Sequence, residues 1–316
     1  MMTAPNPPMQ TRTLPYGAVA IAEAAALIRS GQPVAIPSET VYGLAADATD
    51  SGAVARIYAA KGRPSFNPLI VHVLDLAAAE RIAVFDATAR ALAAAFWPGP
   101  LTLVLPVRSD AGIASLVTAG LDTIAIRVPA GRAIRDLIAA SGAPLAAPSA
   151  NRSNGLSPTR AEHVVASLGD AVPLVIDDGT CVAGVESTIL RGREMLRPGP
   201  ITAEMIARLL GEVGRAHGRE HAIVAPGQLA THYAPRKPLR LNAAEARPGE
   251  WLIGFGAMAG DDTLSASGNL LEAAARLFDA LHRADGSDRT SIAVALVPPS
   301  GIGEAINDRL ARAAHR

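Results

Sequence analysis

Apolar positions along this chain recur in two periods, and the alternation between them maps its elements. From Tyr16 the run AVAIAEAAALIRS repeats apolar side chains at helical spacing and stops at Gly31, a residue suited to a helix C-terminus. Short apolar bursts of strand length follow: PVAIP, LIVHVL, LTLVLPV, TIAIRVP, PLAAPSA, PLVID and STILR. Between them the spacing predicts helices from about Asp50 to Ala60, up to Phe96, after Gly131 and from Thr159. Strands alternating with helices predict an α/β domain. Several strands are separated by loops instead of helices, which predicts a mixed sheet and not a purely parallel one. Residues 1 to about 12 are Pro-rich and polar and read as a loose tail.

Around residues 198–237 the pattern breaks. A short helix in ITAEMIARLLGEVGRA leads into HGREHAIVAPGQLATHYAPRKP, which has Gly, Pro and polar punctuation and little periodicity. A polar connector of that length in a compact protein is a linker or carries function. Beyond it, PLRL, EWLIGFG, a helix from about Asn269 to Arg283, SIAVALV and a helix from about Gly303 read as a second, smaller α/β unit. The expected division is 11–200, a linker over 201–237, and 238–316. No internal repeat or low-complexity tract is visible.

Composition narrows the function classes. Lys plus Arg number 29 and Asp plus Glu 29, so the formal net charge is zero, which argues against a strongly basic nucleic-acid binder. Aromatics are only 3% of the chain, a poor supply for stacking single-stranded bases. The 49% apolar content suffices for a sizeable core, built mainly of Ala, Val, Leu and Ile. One cysteine, Cys181, excludes an internal disulfide, and no activating His is near it in sequence. With no apolar signal segment and no long apolar run, the expectation is a soluble, cytoplasmic protein with no membrane span. The triplet Asn151-Arg152-Ser153 fits a glycosylation acceptor only formally.

Three polar runs at strand ends carry the candidate chemistry. Pro37-Ser38-Glu39-Thr40-Val41-Tyr42-Gly43-Leu44 places donors and acceptors where open α/β sheets form a ligand crevice, and reads equally well as a helix-capping turn. In Lys61-Gly62-Arg63 two cations either complement a helix C-terminus or hold a polyphosphate, Lys as a point charge and Arg as a planar fork. His72 inside LIVHVL is a ligand group or a hydrogen-bonded core histidine. Ser149, Asn151, Asn154, Ser157 and Thr159 supply hydroxyls and carboxamides that orient phosphate or ribose oxygens, or cap the next helix. Arg127 closes TIAIR, where it suits a carboxylate in two-pronged geometry. No GxxxxGK[ST] loop is present, and PPSGIGEAI lacks the third glycine of a dinucleotide fingerprint. His217, Glu220 and His221 read as a solvated loop and not a metal cluster. Asp177-Asp178-Gly179 reads as a turn, with a Mg²⁺-supporting carboxylate as its alternative.

In sequence order, SETVYGLAAD, KGRPSFNPLIVHV, FWPGPLTLVLP, TIAIRVP, APSANRSNGLSPT, VESTILR and LRPGPIT closely resemble the YrdC-like catalytic domain of threonylcarbamoyl-AMP synthases. His-Tyr-Ala-Pro at 232–235 resembles the linker signature of the two-domain form. The resemblance implies a mixed twisted sheet with helices around a concave cleft, plus a smaller Rossmann-like domain. It implies synthesis of threonylcarbamoyl-adenylate and pyrophosphate from L-threonine, bicarbonate and ATP with Mg²⁺ held mainly by the ATP phosphates. The product would pass to a separate tRNA threonylcarbamoyl transferase complex, with room for a weak tRNA contact. By resemblance Lys61, Arg63, Ser149 and Asn151 form a catalytic KxR…SxN set at the phosphates. Arg63, Asn67, Thr123, Ser149, Ser157, Arg197 and Tyr233 match ATP contacts. Thr40, His72, Arg127, Ala147 (through its backbone) and Ser187 match threonine contacts. Ser38 stands where Thr is common and Gln228 where Met is frequent, and neither is expected to touch a proposed contact. Two rivals remain: an RNA-binding module, and a carbamoyl-adenylate chemistry of the kind found in carbamoyltransferases that embed a similar domain.

Overall fold

The computed structural model describes residues 10–215 and 232–315, so His217, Glu220, His221 and Gln228 lie outside the described residues, as does most of the expected tail. The strands of the first domain are β1 (Arg12–Pro15), β2 (Val34–Pro37), β3 (Tyr42–Asp47), β4 (Ile70–His72), β5 (Leu101–Pro106), β6 (Thr123–Arg127), β7 (Leu145–Ala146), β8 (Leu174–Asp177), β9 (Thr188–Arg191), β10 (Glu194–Arg197) and β11 (Gly214–Arg215). Its helices are α1 (Ala18–Arg29), α2 (Ser51–Lys61), α3 (Leu76–Glu80), α4 (Ala87–Phe96), α5 (Ser115–Thr118), α6 (Arg132–Ser141), α7 (Ala161–Leu168) and α8 (Ala203–Leu210). The second domain holds β12 (Leu239–Ala243), β13 (Glu250–Gly254), β14 (Asp262–Thr263), α9 (Leu270–Gly286), β15 (Ser291–Ala295) and α10 (Gly303–Ala314).

The mixed sheet expected from the loop-separated strands is present, in the order β1-β8-β2-β3-β7-β4-β6-β5-β9-β10-β11. β2 with β3 and β5 with β6 are antiparallel, whereas β4 with β6 and β5 with β9 are parallel. The second sheet, β12-β15-β13-β14, is parallel throughout. Helix starts follow local chemistry: the Asp50 carboxylate accepts from the Gly52 and Ala53 N–H groups, so α2 begins where a side chain satisfies its first donors.

Two local readings change. Arg12–Pro15, at the end of the expected tail and without an apolar run to announce it, is a strand because it pairs in parallel with β8 at the sheet edge. The run after Pro37 is a hairpin turn, not a helix cap. Pro37 pairs with Tyr42, and the Ser38 Oγ accepts from Thr40 N–H and donates to Val41 O.

Strand alternation divides the large sheet into two faces. Leu69, Val71, Leu103, Leu105, Ile124 and Ile126 enter the main core with α2, α4 and α5. On the opposite face Ile70, Val104, Ala125, Ile189 and Leu196 form a small apolar floor. That second face carries the site.

The domains share a packed interface. Val41, Leu156, Val185 and Tyr233 belong to the same buried cluster as Ala274, Leu277 and Phe278 of α9. His163 of α7 stacks on His282 of α9 with ring centroids 3.8 Å apart, and Asp279 lies 3.1 Å from Arg160 and 3.4 Å from His163. Gly184 has φ +67° and lies so close to α9 that an added Cβ would sit 2.3 Å from Ala274 O. Gly184→Ala therefore combines overpacking with a left-handed backbone, an expected loss of about 2–4 kcal/mol. Differential scanning calorimetry should show a drop of at least about 5 °C. An unchanged melt would remove this close approach as a stability determinant.

Candidate active site

The cavity opens above the apolar floor, where β4 and β6 present Ile70, His72 and Arg127 and the turn after β7 presents Ala147, Pro148 and Ser149. Thr40, Arg63, Ser187, Arg197 and Tyr233 complete the part of the lining anticipated from sequence. Segments from residue 40 to residue 233 thus meet in one space.

Arg127 is the centre of one half. Its Nη1 donates to Thr40 Oγ1 at 2.9 Å and its Nε to Gly99 O at 3.2 Å. Nη2 is in ion contact with Glu39 Oε1 at 2.6 Å but is not aligned for a hydrogen bond. The guanidinium is therefore fixed in place while one buried N–H-bearing end retains hydrogen-bonding capacity. His72 is 4% exposed and its Nδ1 has no partner. Burial first, and then Arg127, push its pKa down to about 3, so it is a neutral imidazole at pH 7. Ser187 Oγ lies 2.7 Å from Thr102 Oγ1 and accepts from Arg197 Nη2 at 3.1 Å. The Ala147 N–H is committed to Ile70 O at 3.0 Å, which leaves its carbonyl as the backbone group for a ligand.

The other half is cationic. Arg63 donates through Nε to Asn67 O at 3.1 Å and through Nη2 to Pro68 O at 2.9 Å, which points its planar fork along the loop. Burial lowers its pKa to about 10, so it stays charged at neutral pH. Lys61 behaves differently from a free point charge. Its Nζ donates to the carbonyls of Ser149 and Asn151 and clasps that turn against the end of α2. An ammonium has three donors, so one remains after this clasp. Burial and then Arg63 hold the Lys61 pKa well below its ordinary value, a balance that an arriving polyanion would reverse.

Asn67 and Asn151 are buried, with Oδ1 unpartnered in each case, while the Asn151 amide donates to the Arg152 and Gly155 carbonyls. Asn151 is 1% exposed, which agrees with a structural and not a glycosylation reading. The Ser157 hydroxyl donates to Glu186 Oε1. Lys61, Asn67, Asn151 and Ser157 thus back the cavity instead of lining it. Thr123 stands furthest off. It shares the face of Ala125 and Arg127 by strand alternation, but lies four residues up β6 from Arg127, about 13 Å away.

Three further groups lie at or beside the cavity that the sequence reading quoted within its polar runs and the His-Tyr-Ala-Pro signature without giving them a role of their own. Glu186 and His232 line it, and Glu39 pairs with Arg127 behind it. Ser38 also needs correction: it was expected to touch no proposed contact, yet its Oγ lies 2.8 Å from Thr40 Oγ1 and it lines the cavity. The hairpin turn causes this by folding the residue back on its neighbour. Asp177 and Asp178 act in a turn: Asp177 accepts from Gly179 N–H at 2.9 Å and Asp178 pairs with Arg132 at 2.5 Å. Cys181 is buried, and burial raises its pKa, which makes it inert as a nucleophile. Among the described residues no group of three or more His, Cys, Asp and Glu converges as for a metal, and no helix is long and apolar enough to cross a membrane.

His72 and His232 are held neutral in the fold, and burial first, then His163, lowers His282 to about 4. An unfolded histidine takes up a proton below about pH 6.5, whereas these folded ones do not, so stability is present above that pH and falls below it. Urea denaturation between pH 6.5 and 4.5 should show a decline of about 1.4 kcal/mol per pH unit for each such histidine. A flat profile across this window would contradict neutral burial.

Comparison with known proteins places this geometry. A family model described as telomere recombination, for the Sua5, YciO and YrdC proteins, matches residues 26–199. A second, described as the C-terminal domain of threonylcarbamoyl-AMP synthase, matches residues 201–315. A threonylcarbamoyl-AMP synthase of Bacillus subtilis is 40% identical, with 93% of this chain and 92% of its own length covered. One from Pyrococcus abyssi is also 40% identical, with 92% of each covered. The crystal structure of P. abyssi Sua5 complexed with L-threonine superposes with a TM-score of 0.87 at 35% identity, over 96% of this chain and 97% of that one.

Proposed function

This chain belongs to the two-domain Sua5/YciO/YrdC family, and on that premise we propose that it makes threonylcarbamoyl-AMP and pyrophosphate from L-threonine, bicarbonate and ATP. In class it is then a nucleotidyltransferase. The observation that carries this reading is the convergence on one cavity of two separate anion-binding sets: Arg127 with Thr40, His72 and Ser187, and Arg63 with Arg197. The first set suits an amino-acid carboxylate and the second a polyphosphate. Catalytic and contact roles for Lys61, Arg63, Ser149 and Asn151, and for the nucleotide residues Asn67, Thr123, Ser157, Arg197 and Tyr233, belong to this proposal.

The chemistry asks for positioning and charge control. Threonine's ammonium and bicarbonate condense to a carbamate, releasing water and a proton. A carbamate oxygen then forms a bond to the α-phosphorus of ATP as the bond to pyrophosphate breaks. Arg127 holds the threonine carboxylate, and Arg63 and Arg197 stabilise the charge that grows on the phosphates. The Lys61 clasp sets the Ser149–Asn151 turn beside that phosphate. Tyr233, buried over the site, excludes water from an intermediate that hydrolyses readily.

Mg²⁺ enters this reading with the nucleotide. Glu39 and Glu186 at the cavity are each engaged by an arginine, so the donors here suit a cation carried on phosphate oxygens. The chemistry it would supply there is neutralisation of phosphate charge. The adenylate would pass to a separate tRNA threonylcarbamoyl transferase complex. A small diffusible product of this kind places no demand for a basic surface on a protein of zero net charge.

Incubating the protein with ATP, Mg²⁺, labelled bicarbonate and single amino acids tests the proposal. Pyrophosphate release that depends on threonine is the expected result. Its absence from folded protein would overturn the reading, and salt-sensitive tRNA binding in its place would favour an RNA-binding module.

A further inference from the structure

Helix α10 sends a fully buried charged side chain across the domain boundary. Arg309 is 0% exposed, and its Nε donates to Glu186 Oε2 at 2.8 Å. Its Nη1 lies 2.7 Å from Asp308, and its guanidinium stands 5.3 Å from the centroid of the Tyr233 ring. The other oxygen of Glu186 accepts from the Ser157 hydroxyl. A continuous chain of contacts therefore runs from the second domain to a residue assigned to the nucleotide.

A buried ion pair is seldom more stabilising than a well-packed apolar pair, so what its charge does elsewhere is informative. An ionised carboxylate can only accept, which obliges the single Ser157 proton to point at Glu186. Ser157, which backs the cavity from beneath its lining, is then left with lone pairs alone to offer a group that reaches it. We propose that Arg309 is a positioning residue of the nucleotide subsite, fixing the Ser157 hydroxyl through Glu186 as an acceptor for an amino or hydroxyl group of the nucleoside. The docked C-terminal domain is thereby part of that subsite. This rests on the nucleotide assignment of Ser157 made above.

The charge balance supports the direction of control. Burial alone raises the Glu186 pKa, and Arg309 followed by Arg197 more than offset it. Without Arg309 the carboxylate loses the guanidinium that fixes its Oε2, and with it the fixed acceptor that orients the Ser157 proton. The serine proton is then free to turn toward the ligand, and an acceptor becomes a donor.

Calorimetric titration of the full chain with Mg–ATP, L-threonine and tripolyphosphate tests this. Arg309→Met should weaken Mg–ATP binding by about tenfold or more, with threonine and tripolyphosphate within about twofold of the unmodified chain. Glu186→Gln, which leaves Arg309 its contacts with Asp308 and Tyr233, should give the same selective loss and guards against simple undocking. Combining Ser157→Ala with Arg309→Met should add little to either change alone, because both act on one hydroxyl. Equal weakening of all three ligands, or full additivity in the double variant, would overturn the proposal. Failure of the unmodified chain to release pyrophosphate with threonine would instead strike the assigned function, and the binding comparison would still read the Arg309 relay.

Discussion

Arg127→Met should abolish useful threonine affinity, raising the KM for threonine by about thirtyfold or more, because a buried charge partner is worth about 2–5 kcal/mol to its ligand. The same change should also destabilise the fold. The Glu39 side chain is 11% exposed and pairs with Arg127 at 2.6 Å while its other oxygen accepts from Gly131 N–H at 3.0 Å. Left without its cation, the buried carboxylate should cost about 3–5 kcal/mol in denaturant melts. The double variant Glu39→Gln/Arg127→Met separates the two effects. It should regain most of the stability, since no unpaired charge is left, and none of the threonine affinity. Steady-state kinetics with threonine near its ordinary KM in Arg127→Met would show that the carboxylate binds elsewhere.

Lys61→Met should lower kcat by about two to three orders of magnitude, the usual cost of removing one preorganised donor from a site of developing charge. Methionine fills the same space, and the lost partners are two carbonyls and not a carboxylate, so stability should fall by less than about 2 kcal/mol. The Ser149–Asn151 turn loses its clasp and the phosphates lose a nearby ammonium. Threonine affinity should hardly move, because Arg127, Thr40 and His72 are untouched. Single-turnover kinetics alongside threonine titration checks both halves. A kcat within about threefold of the unmodified chain would remove Lys61 from the phosphate machinery.

Much of this site could be read along the chain because its parts are contiguous motifs. Lys61 with Arg63 and Ser149 with Asn151 are each two residues apart, and strand-ending Arg127 and His72 stand out against apolar neighbours. Glu39 and Glu186, though part of the quoted motifs, were given no role of their own, for a physical reason. In sequence each is an acid in a polar turn, the commonest place for a solvated carboxylate, and only burial against arginine changes its meaning. The extra edge strand β1 was missed likewise, since a four-residue segment without an apolar run becomes a strand only through its partner β8.

What the sequence alone determined was the α/β class, the mixed sheet, the two units and the family, because periodicity and short motifs are set by residues close together in the chain. The tertiary structure decided which charges meet. Lys61 and the Ser149 carbonyl are 88 residues apart, Arg127 and Thr40 87, and Arg309 and Glu186 123. Such pairings depend on strand register, on the hairpin that turns Glu39 inward and on the docking of α10 against the first domain. No local pattern encodes them, and burial in that assembled interior is what gives each charge its strength.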